Sequence, residues 1–177
     1  MFFLEKYFFI NSFEPDLIKC QDKNTIIIYR NYSKIEDTAE IINLRDYCRK
    51  NYYKLILSNN IKLALKLGLN GAYLPSFNKK YNHLSYSFKK NFILLGSAHN
   101  YKEINIKRKQ RTKRIFLSSI FKKNKNFIGL NKFKNFINVS NSKFVALGGI
   151  TNNNLKKIKL TKAVGFAGIT FFKKKGP

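Results

Sequence analysis

The sequence has few cysteines and no long apolar run, and each shortage excludes a class of protein. Its two cysteines, Cys20 and Cys48, form no CxxC pair and no zinc-binding spacing. We therefore expect reduced thiols that pack on helix faces in a cytoplasmic protein. The longest apolar stretches, such as 25–29 and 92–95, fall far short of the ~20 residues that a membrane-spanning helix needs. The apolar start at residues 1–4 is interrupted at once by charge, so it does not predict a signal peptide.

Acidic residues are also scarce, and the charge is unevenly distributed. Nine Asp and Glu stand against 35 Lys and Arg, which gives a formal net charge of +26. Residues 101–177 carry +19 of this charge and residues 1–100 carry +7. Such a field attracts nucleic acid, anionic lipid or phosphorylated small molecules.

A second explanation of this charge is codon bias. Lys, Asn, Ile, Phe and Tyr, all encoded by A/T-rich codons, make up 98 of the 177 residues. The sequence contains no RNP-type motif, no KH-type GxxG loop and no zinc finger. Nucleic acid is therefore not the predicted partner, although a basic nucleic-acid-associated protein stays as a further alternative.

Eight short apolar segments with β-forming residues recur along the chain, and most are continuous rather than alternating. This pattern is typical of strands buried on both faces in a parallel sheet that helices cover. The predicted strands are Tyr7–Ile10, Thr25–Tyr29, Tyr53–Leu57, Gly71–Leu74, Asn91–Leu95, Arg114–Ser118, Lys143–Leu147 and Val164–Thr170.

Segments that favour helix lie between these strands. Asn100 and Thr151 are suited to cap helix starts, and Gly68 is suited to end a helix. The helices are predicted at Phe13–Cys20, Ile35–Lys50, Ile61–Leu67, Tyr101–Lys113, Phe133–Val139 and Asn152–Leu160. Strand–helix units of ~20 residues predict a small (β/α)₈ TIM-type barrel as one domain over 1–177. The final helix is expected to be missing, and an open doubly wound sheet is the alternative fold.

Glycines after the seventh predicted strand suggest an anion site. A TIM-type barrel binds its ligands at the carboxyl ends of its strands, with phosphate often near strands 7 and 8. Gly148 and Gly149 let backbone N–H groups approach an anion closely. Thr151 would cap a helix whose first free N–H groups lie at 152–154. The alternative is a tight turn that needs glycine only for steric reasons.

Arg30, Ser97 and His99 are further candidates at predicted strand ends. Arg30 would be a bidentate phosphate partner if it faces inward, and a surface arginine otherwise. Ser97 and His99 could form a nucleophile and its base only if they face each other, and neighbouring strand residues usually point apart. We therefore favour a hydrogen-bonding role at a helix start for His99.

Three passages carry a resemblance to a known family. They are the run Leu55–Leu74, the motif Ser97-Ala98-His99 with Glu103, and Val145–Ile150 followed by Asn154, Gly165, Gly168 and Ile169. In order and spacing they resemble the thiamine phosphate synthase/TenI family over about residues 7–170. That family uses a (β/α)₈ barrel. Its synthases join a pyrimidine diphosphate to a thiazole phosphate and release pyrophosphate, with bound Mg²⁺ and basic side chains helping the diphosphate to leave.

The resemblance implies roles for individual residues. By resemblance, Arg30 and Ser97 are the catalytic residues on the diphosphate side. The thiazole phosphate would be bound by Gly148, Gly149, Gly168, Ile169 and Thr170, and Lys125 would stand for the lysine of the loop after strand 6. The implied partners are these two phosphorylated small molecules, with no membrane. Formation of a homo-oligomer stays open.

The sequence also departs from the family pattern. The two aspartates that bind metal in the family align with Asn59 and Asn78. Because Mg²⁺ prefers anionic oxygen ligands, we expect weak Mg²⁺ binding and assign neither a metal site nor a cofactor. Tyr32 replaces a lysine, and Ser119 stands where the TenI branch has a histidine. A role in thiamine biosynthesis is predicted, and a degenerate, non-catalytic barrel that binds phosphate ligands is the alternative.

Overall fold

Eight parallel strands close into a barrel in the computed structural model, which describes residues 4–32 and 37–173. The strands follow one another around the barrel in chain order, and the first strand pairs with both the second and the eighth. They are Glu5–Ile10 (β1), Thr25–Tyr29 (β2), Lys54–Ser58 (β3), Gly71–Leu74 (β4), Ile93–Ala98 (β5), Arg114–Leu117 (β6), Phe144–Leu147 (β7) and Gly165–Gly168 (β8). The predicted barrel is confirmed, and the alternative of an open sheet is wrong.

Helices follow most of the strands. Those within the described residues are Pro15–Lys19 (α1), Thr38–Lys50 (α2), Ile61–Lys66 (α3), Tyr101–Lys109 (α4), Gly129–Asn138 (α5), Asn152–Lys159 (α6) and Thr170–Lys173 (α7). A 3₁₀ turn, Asn82–Ser85, joins β4 to β5 instead of a helix. The predicted start of α2 at Ile35 lies outside the described residues. The last strand is shorter than predicted, because Thr170 begins α7. Within the described part of the chain α7 has four residues.

Side chains that point into the barrel form a solid aromatic core. Tyr7, Phe9, Tyr73 and Phe116 are all at most 2% exposed. Their rings meet edge to face, with centroids 4.8 Å apart for Tyr7 and Phe116 and 5.3 Å apart for Phe9 and Tyr73. A second apolar cluster lies between the outer faces of the strands and the helices. Burial on both faces explains why the strands read as continuous apolar runs.

Two predicted helix starts and one helix end are confirmed. The Asn100 side chain accepts a hydrogen bond from the Glu103 amide at 3.0 Å, and the Thr151 side chain accepts one from the Asn154 amide at 3.4 Å. Gly68 follows the end of α3 with φ of +61°, a conformation that favours glycine. The two caps, at Asn100 and Thr151, fix where the chain leaves the barrel rim after β5 and β7.

The two cysteines differ in environment. Cys48 packs in the outer core, as predicted, and is 1% exposed. The prediction for Cys20 is wrong, since it is exposed. The reason is that α1 ends at Lys19, so that Cys20 is the residue after its last turn. In the described parts of the chain, no helix has the length and apolarity to cross a bilayer.

Candidate functional site

Arg30 lies at the carboxyl end of β2, directly above the aromatic core. Its guanidinium carbon is 4.5 Å from the centroid of the Phe9 ring, within the range of a cation–π contact. Its amide donates to the Ile10 carbonyl oxygen at 2.8 Å, which continues the pairing of β1 with β2. The half-buried Arg30 side chain therefore lies over the barrel mouth and not on the outer surface.

Ser97 reaches the same aromatic core from β5. It is 6% exposed, and its side chain interacts with the Tyr73 hydroxyl. Burial raises the pKa of Tyr73 and outweighs the opposing effect of Ser97, so the phenol stays protonated. Because Tyr73 also packs against Phe9, Arg30 and Ser97 are joined by one continuous set of contacts across the mouth.

His99 is oriented by neighbours other than Ser97. Its Nδ1 lies 2.8 Å from the Ser118 carbonyl oxygen and 3.1 Å from the Ser118 hydroxyl. The contact with the carbonyl requires a proton on Nδ1. The His99 amide donates to the Glu103 carboxylate at 2.8 Å. These contacts fit the hydrogen-bonding role at a helix start that the sequence favoured.

The turn after β7 needs both of its glycines for steric reasons. Gly148 and Gly149 have φ of +99° and +74°. A Cβ on Gly148 would lie 2.4 Å from the Ser119 hydroxyl, and one on Gly149 would lie 2.6 Å from the Lys122 amide nitrogen. The loop after β6 packs on this turn and donates from the Phe121 amide to the Gly148 carbonyl oxygen at 2.9 Å.

The same turn also presents main-chain donors at the rim. Gly149, Ile169 and Thr170 are exposed, and β7 and β8 pair side by side. In the part of the chain that the structure describes, the turn and loop hydrogen bonds of the backbone use none of these three amides as donor. Gly168 is half-buried at the end of β8. The two turns therefore lie at the same end of the barrel, next to each other.

Asn154 positions the Gly149 turn. Its side-chain amide donates to the Gly149 carbonyl oxygen at 2.8 Å, and its Oδ1 accepts from the Thr151 amide at 2.9 Å. The Asn154 amide bonds in turn to Thr151. The expectation of free N–H groups at residues 152–154 is therefore wrong for Asn154, because the cap itself uses that group.

Lys125 lies in the loop between β6 and α5. The Phe127 amide donates to the Asn124 carbonyl oxygen at 2.9 Å, which closes a tight turn with Lys125 in its centre. The Lys125 side chain is exposed. The base of the loop is held by the buried Ser119, whose hydroxyl donates to the Lys122 carbonyl oxygen at 2.7 Å.

Asn59 and Asn78 are brought together at the ends of β3 and β4. The Asn78 side-chain nitrogen donates to the Asn59 side-chain oxygen at 2.8 Å. The Asn78 Oδ1 accepts from the Lys80 amide at 3.0 Å, which fixes the orientation of its amide group. Asn59 has φ of +64°, a conformation that asparagine adopts more readily than most residues.

This pair does not fit a divalent metal ion. One amide nitrogen points at the oxygen that a metal would need, and both groups are neutral. The adjoining cavity of about 170 Å³ is lined by Lys62, Lys80 and His83 among others, and by no carboxylate. Over residues 4–32 and 37–173, three or more His, Cys, Asp or Glu side chains never cluster as a metal site.

Two tyrosines at the mouth were missed by the sequence reasoning as functional candidates. The Tyr32 hydroxyl lies 2.8 Å from the Ser58 hydroxyl, and its ring packs edge to face on Phe77 at 5.5 Å. The Arg30 guanidinium lies 5.9 Å from the Tyr32 ring. Side chains along a strand point alternately to its two faces, so Tyr32, two residues after the inward-facing Arg30, is expected to point toward the mouth. The same alternation along β4 directs Tyr73 toward the mouth. This alternation was the signal in the sequence that could have identified both tyrosines.

A further cavity lies at the other end of the barrel. It has a volume of about 730 Å³ and is lined by the amino ends of β1, β2, β3, β5 and β6. The Arg114 guanidinium bonds to the Glu5 carboxylate there at 2.7 and 2.9 Å, and the Tyr7 hydroxyl donates to Glu5 at 2.7 Å. In TIM-type barrels this end serves stability, and the catalytic end is the opposite one.

Comparison with known proteins finds a matching family model and a relative in sequence. The family model described as "Thiamine monophosphate synthase" matches residues 18–172. A thiamine-phosphate synthase of Hydrogenobaculum sp. (strain Y04AAS1) is 24% identical over 132 residues, which are 72% of this chain and 62% of that relative. The match thus spans less than two thirds of the relative's length.

Solved structures share the fold. Thiamine phosphate pyrophosphorylase from Pyrococcus furiosus matches with a TM-score of 0.73 and 18% identity, over 97% of this chain and 91% of that one. FabK from Thermotoga maritima matches with a TM-score of 0.70 and 12% identity, over 96% of this chain and 59% of that one. Identities this low show the barrel fold alone.

Proposed function

The chain belongs to the thiamine monophosphate synthase family, and from this premise we propose that its barrel mouth joins a pyrimidine diphosphate to a thiazole phosphate and releases pyrophosphate. The proposal takes residues 1–177 as one domain. The observation that carries it is the pair of adjacent main-chain turns after β7 and β8, where Gly149, Ile169 and Thr170 are exposed at one rim.

The thiazole phosphate binds at these two turns. A phosphate dianion is well matched by converging backbone N–H groups, which cost little to order because the fold already holds them. Asn154 fixes the Gly149 peptide through the carbonyl oxygen. Gly148 and Gly168 complete the two turns and leave the backbone accessible. The net charge of +26 favours capture of the anion from solution.

Arg30 and Ser97 bind the diphosphate. Negative charge accumulates on the diphosphate as its bond to the pyrimidine carbon breaks, so positive charge and hydroxyl donors placed there stabilise the transition state. The Arg30 guanidinium is planar and can donate two parallel hydrogen bonds. Tyr73 remains protonated and interacts with Ser97, which orients the serine. Lys125, on its exposed loop, adds charge from the side of α5.

A specific observation favours a second candidate, a barrel that binds the phosphate ligand without catalysis. Asn59 and Asn78 bond to each other and offer no carboxylate to a metal ion. A reaction that needs a divalent cation at the diphosphate would then fail, whereas binding at the β7 and β8 turns would not.

A turnover and binding assay tests these functions. Purified protein is incubated with both phosphorylated precursors, with Mg²⁺ or with EDTA, and the thiamine phosphate formed is measured. Turnover that is lost in Arg30→Met supports the synthase. Absence of turnover, together with saturable thiazole phosphate binding, supports the second candidate. Absence of both rejects the two functions, and tight, steeply salt-dependent RNA binding would then favour the nucleic-acid alternative.

A matched pair of variants locates the phosphate. Gly149→Asp and Gly149→Asn have side chains of nearly the same size and shape and similar tolerance of positive φ, but only the aspartate adds negative charge. We expect Gly149→Asp to bind thiazole phosphate about tenfold or more weakly than Gly149→Asn, because the added carboxylate repels the dianion. Equal affinity of the two variants would place the phosphate elsewhere.

A further inference from the structure

Lys107 on α4 is fully buried, with 0% exposure, although lysine is rarely buried without a charged partner. Its ammonium donates to the carbonyl oxygens of Pro75 and Asn78, both at 2.7 Å, and to the Gln110 side-chain oxygen at 2.9 Å. The three N–H groups thus meet three neutral oxygens and no carboxylate.

Neighbouring residues leave space for the Lys107 side chain and bind the same loop. A Cβ at Gly96 would lie only 2.8 Å from the Lys107 Cδ, so the glycine on β5 leaves room for the aliphatic stem. Gln110, also fully buried, donates to the carbonyl oxygens of Asn78 at 3.1 Å and Lys80 at 2.8 Å. Two residues one helical turn apart therefore hold the same loop.

That loop, residues 75–80, leads from β4 to the 3₁₀ turn and brings Asn78 to the mouth. The Asn78 main chain is bound by Lys107 on one side, and its side chain donates to Asn59 on the other. The buried ammonium therefore holds the main chain of one member of the amide pair.

We propose that Lys107 is an internal cation that fixes the loop after β4 at the barrel mouth and takes the organising place of a divalent metal ion beside Asn59 and Asn78. The identity of the ligand that benefits rests on the proposed function, but the internal cation itself does not. In this role Lys107 is a positioning residue, because it acts through the loop.

Charge and burial support the inference. Burial lowers the pKa of Lys107 to about 8, and the Glu103 carboxylate opposes this shift, so the ammonium form prevails at neutral pH. A charge held in a low-dielectric interior acts over a longer range than a charge in water. The neighbouring cavity adds Lys62 and Lys80. A dication would meet repulsion there, whereas an anion would be attracted.

The first experiment measures Mn²⁺ binding to the ligand-free protein by electron paramagnetic resonance. We expect no binding to the native chain below about 1 mM Mn²⁺, because neutral amides are poor ligands. The variant Asn59→Asp/Asn78→Asp should bind Mn²⁺. Addition of Lys107→Met should strengthen that binding about fivefold or more, since a nearby positive charge is removed. Lys109→Met on the exposed side of the same helix is the matched control and should change the affinity less than twofold.

The second experiment follows amide hydrogen exchange in residues 75–80. Lys107→Met should speed exchange at Asn78 and Lys80 about tenfold or more, because their loop loses its anchor, whereas Lys109→Met should not. If Lys107→Met does not fold, Lys107→Gln replaces it, and the neutral amide must give the same rise in Mn²⁺ affinity.

Three results would overturn the inference. They are Mn²⁺ binding by the native chain that is lost in Asn59→Ala/Asn78→Ala, equal Mn²⁺ affinity with and without Lys107, and unchanged exchange of the loop in Lys107→Met. Neither experiment contains a phosphorylated ligand. Failure to bind thiazole phosphate would therefore reject the proposed function and leave the internal cation standing.

Discussion

Replacement of Gly149 by alanine should destabilise the protein by about 2–4 kcal/mol. The residue has φ of +74°, and the left-handed conformation costs an L-residue roughly 1–2 kcal/mol. The new Cβ would also lie 2.6 Å from the Lys122 nitrogen and 3.0 Å from the Phe121 carbonyl carbon. These are backbone atoms that cannot rotate away. Relief of the clash therefore moves the loop and weakens the bond from Phe121 to Gly148, which contributes about 0.5–1.5 kcal/mol.

Gly168→Ala is the matched control, since it adds the same methyl group at the neighbouring strand end. Its Cβ would meet only the Phe171 Cβ, at 3.6 Å, and its φ lies outside the left-handed region. We expect a change within about 0.5 kcal/mol. Urea denaturation of the ligand-free variants, followed by circular dichroism, measures both. A cost for Gly149→Ala below about 1 kcal/mol, or equal to that of Gly168→Ala, would refute the steric reasoning.

Three further predictions concern other parts of the chain. For Glu5, burial alone would raise the pKa, but bonds from Arg114 and Tyr7 lower it. Its stabilising contribution should therefore be present above the ordinary pKa and lost as pH falls through the folded value, and Glu5→Gln should flatten the fall of stability measured between pH 5 and 3 by urea titration. In thiol labelling of the native protein, the exposed Cys20 should react quickly and Cys48 only on unfolding, because burial raises the pKa of Cys48 to about 12; fast labelling of both would contradict this. Thr151→Ala should cost about 1 kcal/mol in the same urea assay through loss of the α6 cap, and no loss would show that the cap carries no energy.

The barrel could be predicted from the sequence because its strands and caps follow local rules. Continuous apolar runs such as Thr25–Tyr29 indicate burial on both faces, and Asn100 and Thr151 cap the helices they were expected to cap. The boundaries were harder to predict. Thr170 has good β propensity, yet it begins α7, because Ile169 turns the chain out of the barrel and accepts the first helical hydrogen bonds.

The site was only partly predictable from the sequence. The alternation of side chains along a strand shows which ones point into the barrel, but it does not show which side chains of other strands they contact. Alternation with period two along β2 and β5 is consistent with Arg30 and Ser97 at the mouth. Nothing in the sequence shows that Phe9 and Tyr73 connect them, since β1 and β4 are far apart in the chain. The sequence allowed two interpretations of the glycine turn after β7, an anion site or a tight turn that needs glycine for steric reasons. The close approach of Lys122 gives the steric requirement a specific cause.

Lys107 marks where sequence reasoning reaches its limit. In a chain with 29 lysines, one more lysine on a helix predicts a solvated side chain. Only the packing shows that this one passes over Gly96 and ends on the carbonyl oxygens of Pro75 and Asn78. A loss of carboxylates at the mouth, taken alone, suggests decay of the site. A buried cation bound to the same loop depends on several residues at once. Gly96 leaves space for the Lys107 stem, and Gln110 binds both the Lys107 ammonium and the loop. This combination argues for a site that is organised differently rather than one that has decayed.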